Sequence, residues 1–463
     1  MRLRGDLGQD RITKLLLTLS LPAMIGMTVQ ALYNIIDTFW VGKIGAGEAI
    51  AALTICFPIQ MIMIAIASGT GIGLTSIIAR RLGENKLSEA YNSAEHGLVI
   101  VVIYGIIITT LGLTNVDSLL HLFGVTPELF QLSKDYIFII LMGSVFLFFV
   151  IISGSMIQAE GNSGIPMLSM VVGAVTNMIL DPFLIFGIGP FPELGVQGAA
   201  IATLIAQFLS CLINFWYLFL SNKTSLIISL HKFRFKLKII TEIYKVGLPS
   251  MVMQIVNSLI IVALNWILGD YGYRAIGAMG IYFAVQSLVF MPIMGLNQGL
   301  IPIVGFAYGA KRLDRMIETI KKASIVAFLI MSAGFLCFQL IPGTVISIFN
   351  KDPELVEMGI MSMRNISILL PLVGPSIIMT SSFQAVGKGF TAMWLSLLRQ
   401  VVLLLPALFL LPRWLGLRGV WLSFPLSDFI SISITLFIFI SFLKSLHTDG
   451  FPQDRDMIKQ EEV

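Results

Sequence analysis

The chain has 463 residues, 56% of them hydrophobic and only 12% charged, with a formal net charge of +4 and a mean hydropathy of +0.90. Soluble domains carry roughly 25% charged residues, so the composition excludes a soluble enzyme or binding module and describes an integral membrane protein. The small positive excess informs topology rather than nucleic-acid binding.

Apolar runs of about 20 residues are membrane-helix length, whereas barrel strands need about 10. Twelve such runs occur, at 15–40, 50–77, 91–113, 133–158, 164–187, 198–220, 240–268, 277–305, 321–343, 361–385, 391–412 and 419–443. The expected fold is therefore an all-α integral membrane protein with twelve transmembrane helices. No cleavage site follows the first run, which is expected to stay in the membrane.

That first run ends in NIIDTFWVG (34–42), and at helical spacing Gln30, Tyr33, Asn34 and Asp37 share one face. An ionised Asp at mid-bilayer costs roughly 2.5 to 3.5 kcal/mol on insertion scales, so such an acid faces a cavity or an ion path. The second run contains SGTGIG (68–73), whose Gly69 and Gly73 have the spacing of close helix packing. No strand precedes it and no Lys-Ser/Thr follows, which excludes a phosphate loop. Cys56, Cys211 and Cys337 are scattered singly and read as packing residues.

In the fifth run, NMILDP (177–182) puts Asn177 and Asp181 four residues apart on one face, and the sixth offers Thr203 one turn after Ala199. If helices one, five and six pack together, Asp37, Asn177, Asp181 and Thr203 supply oxygen ligands plus an amide. Such a set suits Na+ or a shared proton, not a transition metal. The rival reading is structural, with the two acids capping bends or bonding neighbouring side chains.

The loop after the sixth run carries HKFRFKLK (231–238) and is expected to lie on anionic headgroups. With both termini cytoplasmic, about three quarters of the 30 Lys and Arg fall on that side, as the positive-inside rule requires, and Arg399 is left inside a helix. This loop sits near mid-chain, and the sequence repeats around it at an offset of about 226 residues. LPAM (21–24) answers LPSM (248–251), and SGTGIG answers MGLNQG (294–299). Likewise FGVTPEL (123–129) answers FNKDPEL (349–355), QAEG (158–161) answers QAVG (384–387), and GVQGAA (195–200) answers GLRGVW (416–421). Six helices is an even number, so the repeat is parallel and predicts two pseudo-symmetric six-helix lobes around a central cleft. The expected organisation is an N-terminal lobe 1–222, a basic linker 223–239, a C-terminal lobe 240–448 and a cytoplasmic tail 449–463.

The second half is poorer in acids. Leu264 stands where Asp37 stands in the first, and Gln254 and Asn257 form the polar face of helix seven. Arg399 and Asp428, in helices eleven and twelve, are expected to form an ion pair that stabilises the lobe, with substrate recognition as the rival role. Templates for catalysis are absent: no HExxH, no GxSxG and no Walker lysine, with all four histidines near helix ends or in loops. The chain is expected not to be an enzyme, and its energy must come from an ion gradient or from none.

Twelve helices in two lobes, the LP motif opening helices one and seven, the helix-one Asp, QAEG, NMILDP and GVQGAAIAT together resemble the multidrug and toxic compound extrusion (MATE) transporters of the multidrug/oligosaccharidyl-lipid/polysaccharide flippase superfamily. The resemblance implies a V-shaped transporter that alternates between outward-open and inward-open states. It would export organic cations or amphiphilic drugs in exchange for H+ or Na+. Family positions for the cation match Asp37, Asn177, Asp181 and Thr203, with the carbonyl of Ala199 as a further ligand. The drug-facing positions match Gln30, Tyr33, Asn34 and Met170, and Gln254 and Asn257 are expected to face substrate from the second lobe. This sequence departs from the branch with acids in helices seven and ten. No cofactor beyond the coupling ion is expected, and no nucleic acid. The expected partners are cationic or amphiphilic small molecules and membrane lipids, for a monomer in a bacterial plasma membrane. The alternative, a flippase for a lipid-linked precursor, calls for a strongly basic cleft rather than acids.

Overall fold

Backbone in hydrocarbon must satisfy its own hydrogen bonds, and every regular element among the described residues is helical. The computed structural model describes residues 7–8, 11–41, 48–123, 125–228, 233–349 and 352–448; the tail 449–463, His231, Lys232 and the side chain of Asn34 lie outside that description. The first half runs α1 (Ile12–Val41), α2 (Glu48–Gly83), α3 (Leu87–Thr114), short α4 (Val116–Leu122), α5 (Pro127–Met142), α6 (Ser144–Ala159), α7 (Gly164–Phe186) and α8 (Val196–Phe215). The second runs α9 (Leu237–Gly269), α10 (Tyr273–Gly309), α11 (Leu313–Leu340), short α12 (Pro342–Phe349), α13 (Pro353–Ile366), α14 (Leu370–Ala385) and α15 (Gly389–Leu397). A π-helical stretch, Leu398–Leu404, leads on to α16 (Leu405–Leu410), α17 (Pro412–Leu415) and α18 (Leu417–Thr448).

Among the described residues, 11 helical spans are long and apolar enough to cross a membrane, and the bent pair α5/α6 makes the twelfth. The single helix expected at 133–158 is thus two rods meeting at 49°. The break falls at Gly143 (φ −83, ψ 0), where a Cβ would collide with Leu204 of α8. Hydropathy runs unbroken through this bend, so the sequence pattern does not reveal it. Other helices outrun their apolar windows: α2 continues past 77 to Gly83 and ends on Arg80 and Arg81. An apolar window measures hydrocarbon thickness, whereas a helix can continue into water.

The repeat reappears in the backbone. Gly161 and Gly387, in the QAEG and QAVG turns, have φ of 91 and 84, and Gly195 and Gly416 have 53 and 56. Only glycine adopts these conformations without strain, which is why both copies keep it. Asn85 and Lys311, equivalent by the same offset, share the left-handed region at 60 and 57.

The halves meet where α1 crosses α10 and α2 crosses α9. A Cβ on Gly295 would lie 2.5 Å from the Met24 backbone, one on Gly299 would strike Ser20, one on Gly69 would lie 2.7 Å from the Gly247 carbonyl oxygen, and one on Gly73 would strike the Ile243 carbonyl. Polar links reinforce this seam: Ser76 Oγ donates to the Gln384 carbonyl (2.8 Å), Arg81 pairs with Glu242 (2.9 Å), and Lys322 Nζ donates to Thr13 Oγ1 (2.8 Å). The Tyr104 and Tyr244 hydroxyls also bond across it. All these contacts lie toward the end of the bundle where α1 and α9 begin.

The linker is pinned at the same end. Glu160, 2% exposed, accepts from the Ser225 N–H (2.6 Å) and the Thr224 hydroxyl (3.0 Å), while His96 Nε2 accepts from the Lys236 N–H (2.9 Å) and its ring packs on Phe233. Burial pushes the Glu160 carboxyl above its ordinary range. A folded-state pKa raised this way contributes stability that is complete below the unfolded value of about 4.3 and is lost as pH rises through the folded one. Thermal unfolding of the wild type should therefore shift downward as pH rises, and Glu160→Gln, which keeps an acceptor for Ser225, should flatten that dependence. Glu160→Ala, leaving the Ser225 donor unpaired, should cost about 1 to 3 kcal/mol at any pH.

Candidate functional site

Near its far end α1 packs on α7, and α7 on α8. Gly26 lets α7 approach closely, since a Cβ there would sit 3.3 Å from Met170 Sδ. Met170 therefore packs at the α1/α7 contact. Two turns further along α7, Asn177 and Asp181 are 1% and 0% exposed. Pro182, which cannot donate to the helix ladder, follows directly and loosens the backbone there.

The carboxyls of Asp37 on α1 and Asp181 on α7 are neighbours. Two acidic side chains this close can share a proton between them. The Asn177 amide, oriented to suit its neighbours, donates Nδ2 to Asp181 Oδ2 (2.8 Å) while its oxygen accepts from the Thr203 backbone N–H (3.0 Å). Thr203 Oγ1 lies 3.0 Å from the Ala199 carbonyl oxygen and is also bonded to the Tyr33 hydroxyl. Asp37, Tyr33 and Thr203 are partly accessible, while Asp181 is sealed. The cluster thus has one open side, on the α1 face that carries Gln30 and Tyr33.

Five positions singled out in the sequence therefore come together: Asp37, Asn177, Asp181, Ala199 and Thr203, with Tyr33 beside them. Gln254 and Asn257 do not join them. Gln254 on α9 is half-buried and reaches only the Ser250 carbonyl (3.4 Å), and Asn257 is exposed. Leu264, the counterpart of Asp37, is fully buried in the apolar core. Arg399 Nε lies 2.6 Å from Asp428 Oδ1.

Sequence reasoning missed Tyr136 and Gln60. Tyr136, on α5, is buried within electrostatic range of both Asp37 and Asp181, and its hydroxyl accepts from Gln60 Nε2 (3.2 Å) on α2. It also missed Gln158 and Gln298, bonded at 2.9 Å, with Gln298 reaching Met27 Sδ on α1 at 3.5 Å. The signal available was a lone polar side chain in an apolar helix, which says nothing of its partner.

Chemically, the cluster offers two carboxyl groups, a hydroxyl and a helix carbonyl, with one side accessible. It can take up or release a proton, or hold a hard cation on oxygen ligands. Among the described residues no group of three or more His, Cys, Asp or Glu is arranged to hold a metal ion.

The sequence model of the MatE family matches the chain twice, over residues 22–183 and 249–410, and the two matches start at equivalent points of the repeat. The chain is 27% identical over 442 residues to the multidrug export protein MepA of Staphylococcus haemolyticus, covering 95% of this chain and 96% of that protein. It is 25% identical to an FAD transporter of Shewanella oneidensis, covering 92% and 94%. Among solved structures, it superposes with a TM-score of 0.90 and 29% identity on the outward-facing conformation of a multidrug resistance MATE family transporter of the MOP superfamily, covering 95% and 98%.

Proposed function

Because the chain belongs to the MATE family, as a multi-pass membrane transporter, we propose that it is a multidrug efflux antiporter. It exports organic cations or amphiphilic drugs in exchange for a cation held by Asp37, Asn177, Asp181, Thr203 and the Ala199 carbonyl. The observation that carries this reading is the carboxyl pair, two neighbouring acids beside Asn177 and Thr203 in one half of a transporter. The multidrug export relative supports the substrate class.

With the pair deprotonated, two negative charges in a confined cleft attract a cationic drug. Proton entry removes that attraction and lets Asp37 and Asp181 bond each other, drawing α1 onto α7 and releasing the drug. With the basic linker on the cytoplasmic side, the glycine seam closes the cytoplasmic end and the cleft faces outward, the release state of such a cycle. The setting is a bacterial plasma membrane with both termini cytoplasmic, and the transporter works as a monomer, since one chain supplies both lobes. Sodium is the second reading, supported by the hydroxyl and carbonyl oxygens beside the acids.

Ethidium or norfloxacin movement in proteoliposomes tests this. An imposed proton gradient should accelerate transport against the drug gradient, and varying Na+ separately assigns the ion. Movement that ignores both gradients overturns the antiport reading.

A further inference from the structure

A guanidinium exposed to lipid at mid-bilayer costs roughly 2.5 to 3.5 kcal/mol, so its orientation matters. Arg399 follows buried Ala392 and Leu395 by seven and four residues and shares their face, and its partner Asp428 is buried on α18. Its side chain is nevertheless 32% accessible, against 9% for Asp428. It sits in the π-helical stretch Leu398–Leu404, and π insertions recur at functional sites.

Asp428 engages only Nε among the described residues, which leaves Nη1 and Nη2 without a hydrogen-bond partner. One more donor belongs to the same region. Tyr282 of α10 is buried and within electrostatic range of both Arg399 and Asp428; its hydroxyl accepts from Gln286 Nε2 (3.1 Å) and keeps its own proton to donate. An ion pair that served only to stabilise the lobe would need neither the free fork nor the idle donor. A buried donor without an acceptor costs about 1 to 3 kcal/mol, which a bound acceptor would recover.

We propose that Arg399, with Tyr282, forms a subsite for the carboxylate of zwitterionic substrates, held ready by Asp428. The planar Nη edge matches a carboxylate in bidentate fashion, and Asp428 keeps the guanidinium neutralised and aimed while the subsite is empty. This deepens the transport reading above and rests on it: the acids of the first half take the cationic end of a substrate, and Arg399 takes an anionic one.

The test compares a rhodamine dye bearing a free carboxylate with its methyl ester, binding to full-length protein in nanodiscs by fluorescence polarisation. Arg399→Gln should raise the Kd of the free acid about tenfold more than that of the ester, the loss of one charge-assisted hydrogen bond, and Arg399→Lys should restore part of the difference. Because removing one partner leaves a buried charge, Arg399→Gln/Asp428→Asn is measured alongside and should show the same selective loss. A loss equal for both dyes, or none, in both variants overturns the subsite. Wild-type protein that binds the ester and not the acid overturns it too while leaving the antiport reading intact. Failure to bind either dye, together with ethidium transport that ignores both gradients, removes both.

Discussion

Asp37→Asn is expected to abolish proton-driven efflux, lowering transport at least a hundredfold, while the protein reaches the membrane in wild-type amount. The amide keeps the shape of the carboxyl and can still bond Asp181, so folding has little to lose. What it cannot do is take up and release a proton. The pair would then hold the same charge in every state of the cycle, and a ligand that binds both states equally shifts neither. One charge crossing 100 mV supplies about 2.3 kcal/mol, a bias of roughly fiftyfold between two states, and the variant forfeits it. Drug resistance in cells, with dye movement in inverted vesicles under an imposed pH gradient, measures the effect. Wild-type resistance in cells carrying Asp37→Asn would sink the assignment.

The second large effect concerns the seam. Gly73→Val should weaken closure of the end where α1 and α9 begin, because its added atoms meet the backbone carbonyl of Ile243, which has no rotamer by which to retreat. Overpacking of this kind costs about 1 to 3 kcal/mol, a shift of roughly fivefold to 150-fold toward states with that end open. In a background without the native cysteines, maleimide labelling of Ser250→Cys, 2% exposed in the closed seam, should accelerate at least about fivefold. Gly280→Val is the control, since a Cβ there meets nothing within 4 Å. Equal labelling rates in Gly73→Val and Gly280→Val would refute the gating role of the seam.

Much of this architecture was legible in the sequence because membranes make strict demands. Hydrocarbon thickness sets the length of the apolar runs, and the cost of a buried acid makes Asp37 and Asp181 conspicuous. The four-residue step from Asn177 to Asp181 predicts a shared face, and the structure places both on the side of α7 that meets α8. Less legible were features that depend on which helix lies opposite. The Gly69/Gly73 spacing announces close packing, yet nothing local says that the partner belongs to the other half of the chain. Gly143 looks like any glycine in an apolar run until Leu204 is known to press against it. Tyr136 and Gln60 lie 76 residues apart and became visible as a pair only when α2 and α5 were seen side by side. Glu160 was read as part of a turn motif, and its hold on Thr224 and Ser225 follows from folding of the linker rather than from the motif.

The seam carries a consequence for descent. Gly69 meets Met251 and Gly295 meets Met24, and the two methionines are themselves equivalent in the repeat. A contact of i with j that is answered by a contact of j with i is the signature of an isologous two-fold interface, the kind that joins identical subunits. One chain has thus kept the contact geometry of a homodimer whose axis stands along the membrane normal. Such a homodimer would be obliged to hold the same residue at both copies of every position, so an aspartate in one copy would be repeated in the other. A single chain is free of that constraint, and this one holds Asp37 in one half and buries Leu264 in the other.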